Sequence, residues 1–256
     1  MFAVDKSNKR NSILYDILKS EGYQSFDLLE KNIADKASGR FVYIFAPVKN
    51  LLSAEIAALS DGSIVFAGKA SDGELLKSKN ISFFSILNDE LYLNKIAQIT
   101  AEGALAIMLN LTDFSLYDTD ALVLGFGRVG KAVARLLKSI CKSVSVASYD
   151  KAEFHSAGVN YISYFEDSYI RNFCNYKIIL NTIPAQILGS CDIKKINENT
   201  LFIDLASAPG CLKTGAQDGV KFNYYQALQV PDKIAPKTAA EELKRLIFKC
   251  LGYCAA

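Results

Sequence analysis

Hydrophobic and polar positions alternate over the first ninety-odd residues in the pattern of a parallel sheet wrapped by helices. Short β-branched or aromatic runs predict strands at 2–4, 41–45, 63–67 and 81–86. Between them, apolar residues at helical spacing predict helices at 11–20, which ends at Gly22, and at 51–59. This part of the chain is therefore expected to form a small α/β layer.

The alternation resumes after a strongly apolar stretch at 100–111, which predicts a helix between two domains. Thr100 followed by Glu102 indicates the start of that helix, and we assign Glu102 to capping rather than to a cleft. Beyond it, strands are predicted at 121–124, 143–147, 161–162, 178–181, 201–205 and 223–227. Helices are predicted at 131–140 and at 237–252, where the apolar residues form one stripe.

The length of 256 residues exceeds that of one average domain. The pattern favours an α/β fold class with two domains, a smaller flavodoxin-like domain at 1–98 and a Rossmann domain at 99–236 that includes its leading interdomain helix. Residues 237–256 are a candidate completion of the first domain. The functional site is expected in the cleft between the two domains.

The most informative motif is a glycine-rich turn between strand 121–124 and helix 131–140. This context is the one that the dinucleotide-binding fingerprint requires. The first glycine makes the tight turn, the second lets the pyrophosphate approach the backbone, and the third lets the helix pack on the strand. A corner merely shaped by glycines, a mononucleotide and a flavin dinucleotide stay open as alternatives. The predicted cofactor-binding residues of the turn are Gly125, Phe126, Gly127, Arg128, Val129 and Gly130.

The end of the second Rossmann strand bears on the choice between NADP and NAD. An acidic residue about twenty positions after the first glycine normally accepts hydrogen bonds from the ribose of NAD. Here Ser148 can donate to a 2′-phosphate and Lys151 can pair with its charge, with Tyr149 between them. The sequence therefore predicts NADP, bound in part by Ser148, Tyr149 and Lys151. NAD stays the alternative because Asp150 lies only two residues beyond Ser148.

Composition and charge narrow the class of protein. Half of the residues are hydrophobic and 22% are charged, which is typical of a packed globular protein. Lys and Arg number 29 against 27 Asp and Glu, and no basic run is interleaved with aromatic residues, so nucleic acid is not expected as a partner. No leader-like start and no window of about 18 apolar residues is present, so we expect a cytoplasmic protein without a membrane span.

The cysteines and the histidine argue against a metal site. Six cysteines are scattered without a C-x-x-C spacing and the only histidine is His155, which leaves no ligand set for zinc. Reduced and mostly buried thiols are expected because nothing indicates secretion. His155 follows the second Rossmann strand and is assigned to the surface rather than to catalysis.

Five stretches in the same order resemble the A subunit of bacterial dipicolinate synthase, over roughly residues 88–245. The resemblance implies a pyridine-nucleotide-linked oxidoreductase that works with a flavoprotein-like B subunit. The implied reaction converts dihydrodipicolinate, or its hydrated precursor, into the dipicolinate of spores. The five stretches are Thr100-Ala101-Glu102-Gly103, Val123-Leu124-Gly125-Phe126-Gly127-Arg128, Asn181-Thr182-Ile183-Pro184-Ala185, Ile203-Asp204-Leu205-Ala206-Ser207 with Pro209-Gly210, and Ala235-Pro236-Lys237-Thr238-Ala239.

Polar residues follow two strands of the predicted Rossmann sheet, at the ends where open α/β sheets bind ligands. Asn181 is predicted as a catalytic residue on the nicotinamide side. The alternative is that Asn181 and Asp204 cap the following turns through local side-chain hydrogen bonds. The predicted cofactor-binding residues of this edge are Thr182, Pro184, Asp204, Ala206 and Ser207.

A dicarboxylate substrate needs cations or helix N-terminal amides to offset its two charges. Lys237 with Thr238, at the start of the last predicted helix, is the predicted anchor, and both are counted with the catalytic residues. The alternative for Lys237 is a solvated lysine. Arg128 is a second cation that could reach phosphate or substrate, against a solvent-facing alternative.

The sequence also departs from the family. Ala3-Val4-Asp5 replaces an early diglycine, Tyr149 replaces an arginine, and Pro231-Asp232-Lys233 replaces the usual Pro-Gly. The layout is similar to D-2-hydroxyacid dehydrogenases, but those use a late histidine and none follows His155. A non-catalytic dinucleotide-binding regulatory protein and a stand-alone dehydrogenase of another small acid therefore stay open, as do the B subunit and a homo-oligomer.

Overall fold

The computed structural model describes residues 1–30, 40–148, 159–163 and 173–253, and their contacts fall into two units. Unit 1 contains Met1–Ile96 and the residues from Ala235 onward, and unit 2 contains Ala97–Ile234. Each unit has its own parallel sheet. Within the described residues, no helix is long and apolar enough to cross a membrane.

The sheet of unit 1 joins β1 (Phe2–Val4), β2 (Ser25–Asp27), β3 (Val42–Ile44), β5 (Ile64–Ala67) and β7 (Ser82–Ser85). Its order is β2-β1-β3-β5-β7 and every pairing is parallel, which is the flavodoxin-like arrangement. A separate parallel pair joins β4 (Asn50–Leu51) and β6 (Lys69–Ala70). The helices are α1 (Lys9–Ser20), α2 (Ser53–Ala57), α3 (Gly73–Ser78) and α8 (Pro236–Cys250).

Both faces of this sheet are buried. Side chains of a strand alternate between faces, and Phe2 and Val4 accordingly belong to one hydrophobic cluster while Ala3 belongs to another. The first cluster includes Leu14 of α1 and Leu243 of α8, so the last helix completes the core of unit 1. Burial on both faces explains why the inner strands β1, β3 and β5 are apolar runs rather than alternating ones.

The sheet of unit 2 joins β8 (Asp120–Leu124), β9 (Ser143–Ser148), β10 (Asn160–Ser163), β11 (Ile178–Asn181), β12 (Leu201–Asp204) and β13 (Asn223–Gln226). Its order is β10-β9-β8-β11-β12-β13, and all pairings are parallel. Counted within this unit, the order is that of a Rossmann sheet. The helices are α5 (Arg128–Lys138), α6 (Ser190–Ile193), α7 (Val230–Ile234) and α4 (Glu90–Leu111), which begins in unit 1.

The α/β fold class is confirmed, and each predicted strand coincides with an observed strand to within one residue at either end. Single 3-10 turns are found at Ile86–Asn88, Leu116–Asp118, Phe173–Asn175 and Gln217–Gly219. The shorter elements were not predicted, and the expectation of mostly buried thiols is wrong. Among the cysteines that the structure describes, Cys141 and Cys211 are buried, whereas Cys174, Cys191 and Cys250 are exposed.

The start predicted for the apolar helix at Thr100 is also wrong. The helix α4 begins at Glu90, so Thr100 is a buried interior residue and Glu102 is an exposed interior residue that caps nothing. Gly103 lies in the same helix, where glycine is normally unfavourable. A Cβ at this position would lie 2.1 Å from Cγ1 of Val230 and 2.9 Å from Cγ1 of Ile234. Gly103 therefore lets α7 pack directly against α4 within unit 2.

Replacing Gly103 by Ala should lower the free energy of unfolding by about 1–3 kcal/mol, because the new methyl group overlaps the Val230 side chain. Urea unfolding followed by circular dichroism measures the loss. The matched control is Glu102→Ala at the exposed neighbour, which should change the free energy by less than about 0.5 kcal/mol. Val230→Ala should recover part of the loss, and strictly additive losses in the double variant would contradict the contact.

Candidate functional site

The glycine turn joins β8 to α5 at the carboxyl edge of the unit 2 sheet. Gly125 has a φ of +96°, and a Cβ there would lie 2.6 Å from Oγ1 of Thr182. A Cβ at Gly130 would lie 2.2 Å from the carbonyl oxygen of Gly125. Both contacts are too short for any side chain, so glycine is required at these two positions for the helix to begin this close to the strand.

Gly127 differs from the other two glycines of the turn because it faces open space. It is exposed, its φ of −72° suits any residue, and no atom of the described residues lies within 4 Å of the position of a Cβ. Gly127 is also the N-cap of α5, and no side chain in the described part of the chain caps this end. The first turn of α5 contains no acidic residue. A helix N-terminus with room beside it is suited to an anionic group.

The turn lies at the point where the strand order of the sheet reverses. The strand β8 pairs with β9 on one side and with β11 on the other. The chain adds β9 and β10 on the first side of β8 and then crosses to add β11, β12 and β13 on the second side. Thr182 closes the edge between β8 and β11, since both its amide and its hydroxyl donate to the carbonyl oxygen of Leu124 at 2.9 Å. Open α/β sheets bind their ligands at such a switch point.

Asn181 and Asp204 occupy paired positions at the ends of β11 and β12, and both are fully buried. The Asn181 amide nitrogen donates to Oδ1 of Asp204 at 2.8 Å and to the carbonyl oxygen of Ile183, and Oδ1 of Asn181 accepts from the amide of Ile183. These are the local capping bonds that the sequence offered as the alternative to cofactor contact. In this geometry the Asn181 side chain holds the backbone of Ile183 and the carboxylate of Asp204, and its catalytic role stays a prediction.

Asp204 is the centre of a hydrogen-bond network that includes side chains from two neighbouring strands. Its Oδ1 accepts from Asn181 and from the amide of Ala206 at 3.0 Å. Its Oδ2 accepts from the amide of Cys211 at 2.7 Å and from the hydroxyl of Tyr224 at 2.8 Å. We call these five residues the Asp204 network. The carboxylate is thus buried with four donors, which is how a buried charge is compensated without a cation.

The network also affects two titratable neighbours. Burial raises the pKa of the Tyr224 phenol above its ordinary value of 10.0, and the hydrogen bond to the Asp204 carboxylate raises it further. Burial likewise raises the pKa of the Cys211 thiol, and the negative charge of Asp204 adds to this effect. Both groups are therefore held in their neutral, protonated forms. Neither is activated as a base or a nucleophile.

The remaining residues of the predicted site differ in their burial and in the unit to which they belong. Phe126 and Val129 pack partly buried against the core of unit 2, while Arg128 is exposed. Lys237 and Thr238 begin α8, which belongs to unit 1, so their role as a substrate anchor stays a prediction. At the sheet edge, Ser148 ends β9 half-buried, Pro184 and Ser207 are exposed, and Ala206 is buried. Tyr149, Asp150, Lys151 and His155 lie outside the described residues.

Three members of this edge were not predicted from the sequence, namely Gly210, Cys211 and Tyr224. Gly210 has a φ of +83°, and a Cβ there would lie 2.8 Å from Oδ2 of Asp204, so glycine is required beside the carboxylate. A Pro-Gly pair a few residues after a buried strand-end aspartate was the available signal for Gly210. Tyr224 gave no signal of its own, because half-buried tyrosines are common in strands.

Comparison with known proteins yields one curated relative and several solved structures, whereas no family model matches the chain. The A subunit of dipicolinate synthase from Bacillus subtilis (strain 168) is 29% identical over 156 residues, which cover 60% of this chain and 52% of the relative. The matched region thus spans about half of the length of that relative. The chain is similar to the dipicolinate synthase A subunit. The resemblance expected from the sequence motifs is confirmed.

Two solved structures establish the fold over the whole chain. The A subunit of dipicolinate synthase from Bacillus halodurans superposes with a TM-score of 0.82 at 18% identity, covering 99% of this chain and 98% of that one. A D-isomer specific 2-hydroxyacid dehydrogenase from Lactobacillus delbrueckii ssp. bulgaricus, in its NAD-complexed form, has a TM-score of 0.60 at 12% identity, with coverages of 99% and 98%. The similarity of layout to D-2-hydroxyacid dehydrogenases is therefore also confirmed.

Removing the Tyr224 hydroxyl should destabilise the protein by about 1–3 kcal/mol at neutral pH, because a charge-assisted hydrogen bond is lost. The folded state holds the phenolic proton more tightly than the unfolded state, so this contribution is complete below pH 10.0 and declines as the pH rises above it. The free-energy difference between the wild-type protein and Tyr224→Phe should therefore shrink by at most about 1.4 kcal/mol per pH unit above that value.

Tyr225→Phe is the matched control for this prediction, since Tyr225 is the next residue of β13 and is exposed. Urea unfolding of the three proteins at a series of pH values measures both effects. A difference between wild type and Tyr224→Phe that stays constant across alkaline pH would contradict the raised pKa.

Proposed function

We propose that this chain is an NAD(P)-linked oxidoreductase of the same type as the dipicolinate synthase A subunit, which converts dihydrodipicolinate or its hydrated precursor into dipicolinate. The observation that carries the proposal is the glycine turn at the switch point of a Rossmann sheet, with open space at Gly127. The substrate is assigned from the similarity to the A subunit of dipicolinate synthase.

The residues of the turn fit a dinucleotide. Neighbouring atoms occupy the Cβ positions of Gly125 and Gly130, and these two glycines shape the corner. Among the three glycines of the turn, Gly127 has a Cβ position that no atom of the described residues occupies. That division of roles among three glycines is the one that a pyrophosphate needs. The exposed backbone at Gly127 and the N-terminus of α5 would hold the phosphates.

A bound pyridine nucleotide would supply the hydride acceptor for the oxidation. Loss of hydride and a proton from a dihydropyridine ring gives an aromatic product, so the chemical step is driven downhill. The residues of this chain would then serve mainly to bind the two reactants, orient them against each other and exclude water. This division of labour is consistent with a sheet edge whose polar groups are engaged in holding the backbone.

Three observations support the finer assignments. Ser148 ends β9, where the adenosine ribose is read, and a serine there favours NADP, with NAD as the alternative. Lys237 is exposed in the first turn of α8, after Pro236 at the first helical position, where helix N-terminal amides add to its charge in binding a carboxylate. The relative is one subunit of a synthase, which supports a second subunit as a partner of this chain. The proposed partner is the flavoprotein-like B subunit.

A non-catalytic dinucleotide-binding protein is the second candidate. The observation that favours it is the burial of Asn181 and Asp204, whose polar atoms are engaged with each other and with the backbone. Such groups are not available as an acid or a base. Turnover of dihydrodipicolinate by the isolated chain with NADP or NAD would eliminate this candidate, whereas nucleotide binding without turnover, alone or with the second subunit, would favour it.

Gly127→Ala should weaken dinucleotide binding by about tenfold or more while the midpoint of thermal unfolding stays unchanged, because the methyl group occupies the space for the pyrophosphate and meets no atom in the described part of the chain. Isothermal titration with NADPH and NADH measures the loss, and we expect NADPH to bind the wild-type protein more tightly. Gly73→Ala is the matched control, since a Cβ at Gly73 also meets no atom of the described residues and Gly73 lies in the other unit. Unchanged affinity in Gly127→Ala would refute the binding site.

Lys237→Ala should raise the KM for dihydrodipicolinate by about ten- to a hundredfold, as expected for the loss of one charge-assisted hydrogen bond, and leave NADPH affinity unchanged. Initial rates of dipicolinate formation, with the second subunit present, measure the effect. Lys195→Ala removes an exposed lysine of unit 2 and should leave the KM at its wild-type value. Equal KM values in the wild-type protein and Lys237→Ala would remove Lys237 from the substrate site.

A further inference from the structure

The loop after β12 is held at both ends by one carboxylate. Oδ1 of Asp204 accepts from the amide of Ala206 at the start of the loop, and Oδ2 accepts from the amide of Cys211 at its end. Between these two bonds, the amide of Gly210 donates to the carbonyl oxygen of Ser207 at 3.0 Å and closes a turn. The carboxylate therefore fixes the path of residues 205–211 from inside the protein.

The tip of this loop is exposed although its anchors are buried. Ser207 and Pro209 are exposed, whereas Ala206, Gly210 and Cys211 are buried around the carboxylate. The tip projects from the carboxyl end of β12, on the β11 side of the switch point. In a Rossmann sheet the adenosine half of a dinucleotide lies over the first three strands, and the nicotinamide half lies over the last three. The loop tip accordingly belongs to the nicotinamide half.

A carboxylate is needed for this arrangement because all four partners are donors. An ionised carboxyl group offers about four acceptor positions and no donor, whereas an amide offers one oxygen and a nitrogen that donates. An amide in place of Asp204 would turn an N–H group toward one pair of donors, either Asn181 with Ala206 or Cys211 with Tyr224. One end of the loop would then lose its anchor.

We propose that Asp204 is a positioning residue for the nicotinamide half of the cofactor, which acts by holding the loop of residues 205–211 in its binding conformation. The inference rests on the proposed function, since it takes the bound dinucleotide from there. It also changes the role expected for Asp204, which acts through the loop backbone rather than by touching the cofactor.

The test compares a whole dinucleotide with its adenosine half. Isothermal titration of wild type, Asp204→Asn and Tyr224→Phe is carried out with NADH and with adenosine diphosphate. Asp204→Asn should weaken NADH binding by about tenfold or more, the equivalent of one hydrogen bond to a charged group, and leave adenosine diphosphate binding within about twofold of wild type. Tyr224→Phe removes one of the four donors and should give a smaller loss in the same direction.

The comparison separates positioning from a purely structural role. Loss of affinity for both ligands by the same factor in Tyr224→Phe would mean that the network only stabilises the fold, and it would overturn the proposal. Unchanged NADH affinity in a folded Asp204→Asn variant would overturn it as well. Should Asp204→Asn fail to fold, the ratio of the two affinities in Tyr224→Phe decides the question, with Tyr225→Phe as the control expected to match wild type. A wild-type protein that binds neither ligand would instead refute the proposed function.

Discussion

The contact between Gly130 and the carbonyl oxygen of Gly125 is the constraint on which the candidate site depends. A side chain at Gly130 would overlap that oxygen, so only glycine lets α5 begin directly against the end of β8. The neighbouring Thr182 fills the remaining space and fastens β11 to β8 through Leu124. Because this corner is closed by backbone and by one hydroxyl, the helix N-terminus and Gly127 are left facing outward. The open position beside Gly127 is therefore a consequence of how tightly the rest of the corner is packed.

The two sides of the switch point differ in charge and in how that charge is compensated. On the β8 side, the partial positive charge of the α5 N-terminus is left without a side-chain cap from the described residues, which suits an incoming anion. On the β12 side, a negative charge is already present at Asp204 and is compensated by protein donors. A buried carboxylate with all its donors supplied attracts no further ligand charge, and its effect is to fix the surrounding backbone. One side thus prepares a binding position and the other prepares a rigid surface beside it.

The sequence predicted the sheets well because their physical signal is local. Strands such as β8 and β11 are buried on both faces and appear as uninterrupted apolar runs between turn residues. The start of α4 was missed because its first ten residues are mixed in polarity, while the apolar run that begins at Thr100 imitates a helix start. The strand β2 was missed because its three residues are only half-buried at an edge. Short edge elements depend on pairing partners that are distant in the sequence.

The candidate site was predictable in position but not in the division of roles. Glycines and strand-end polar residues indicate where a ligand edge lies, whereas the pairing of Asn181 with Asp204 depends on the register of β11 against β12. Tyr224 joins them only because β13 is parallel and adjacent, which no local pattern encodes.

Removing a carboxylate from water is costly, and Asp204 offsets that cost with four hydrogen bonds instead of a cation. Well-packed apolar residues could stabilise this part of the core at least as well. The physical advantage of the carboxylate is that it specifies one backbone path for the loop that follows. Under the proposed function the site would have to orient two flat rings against each other, which requires that specification more than further stability.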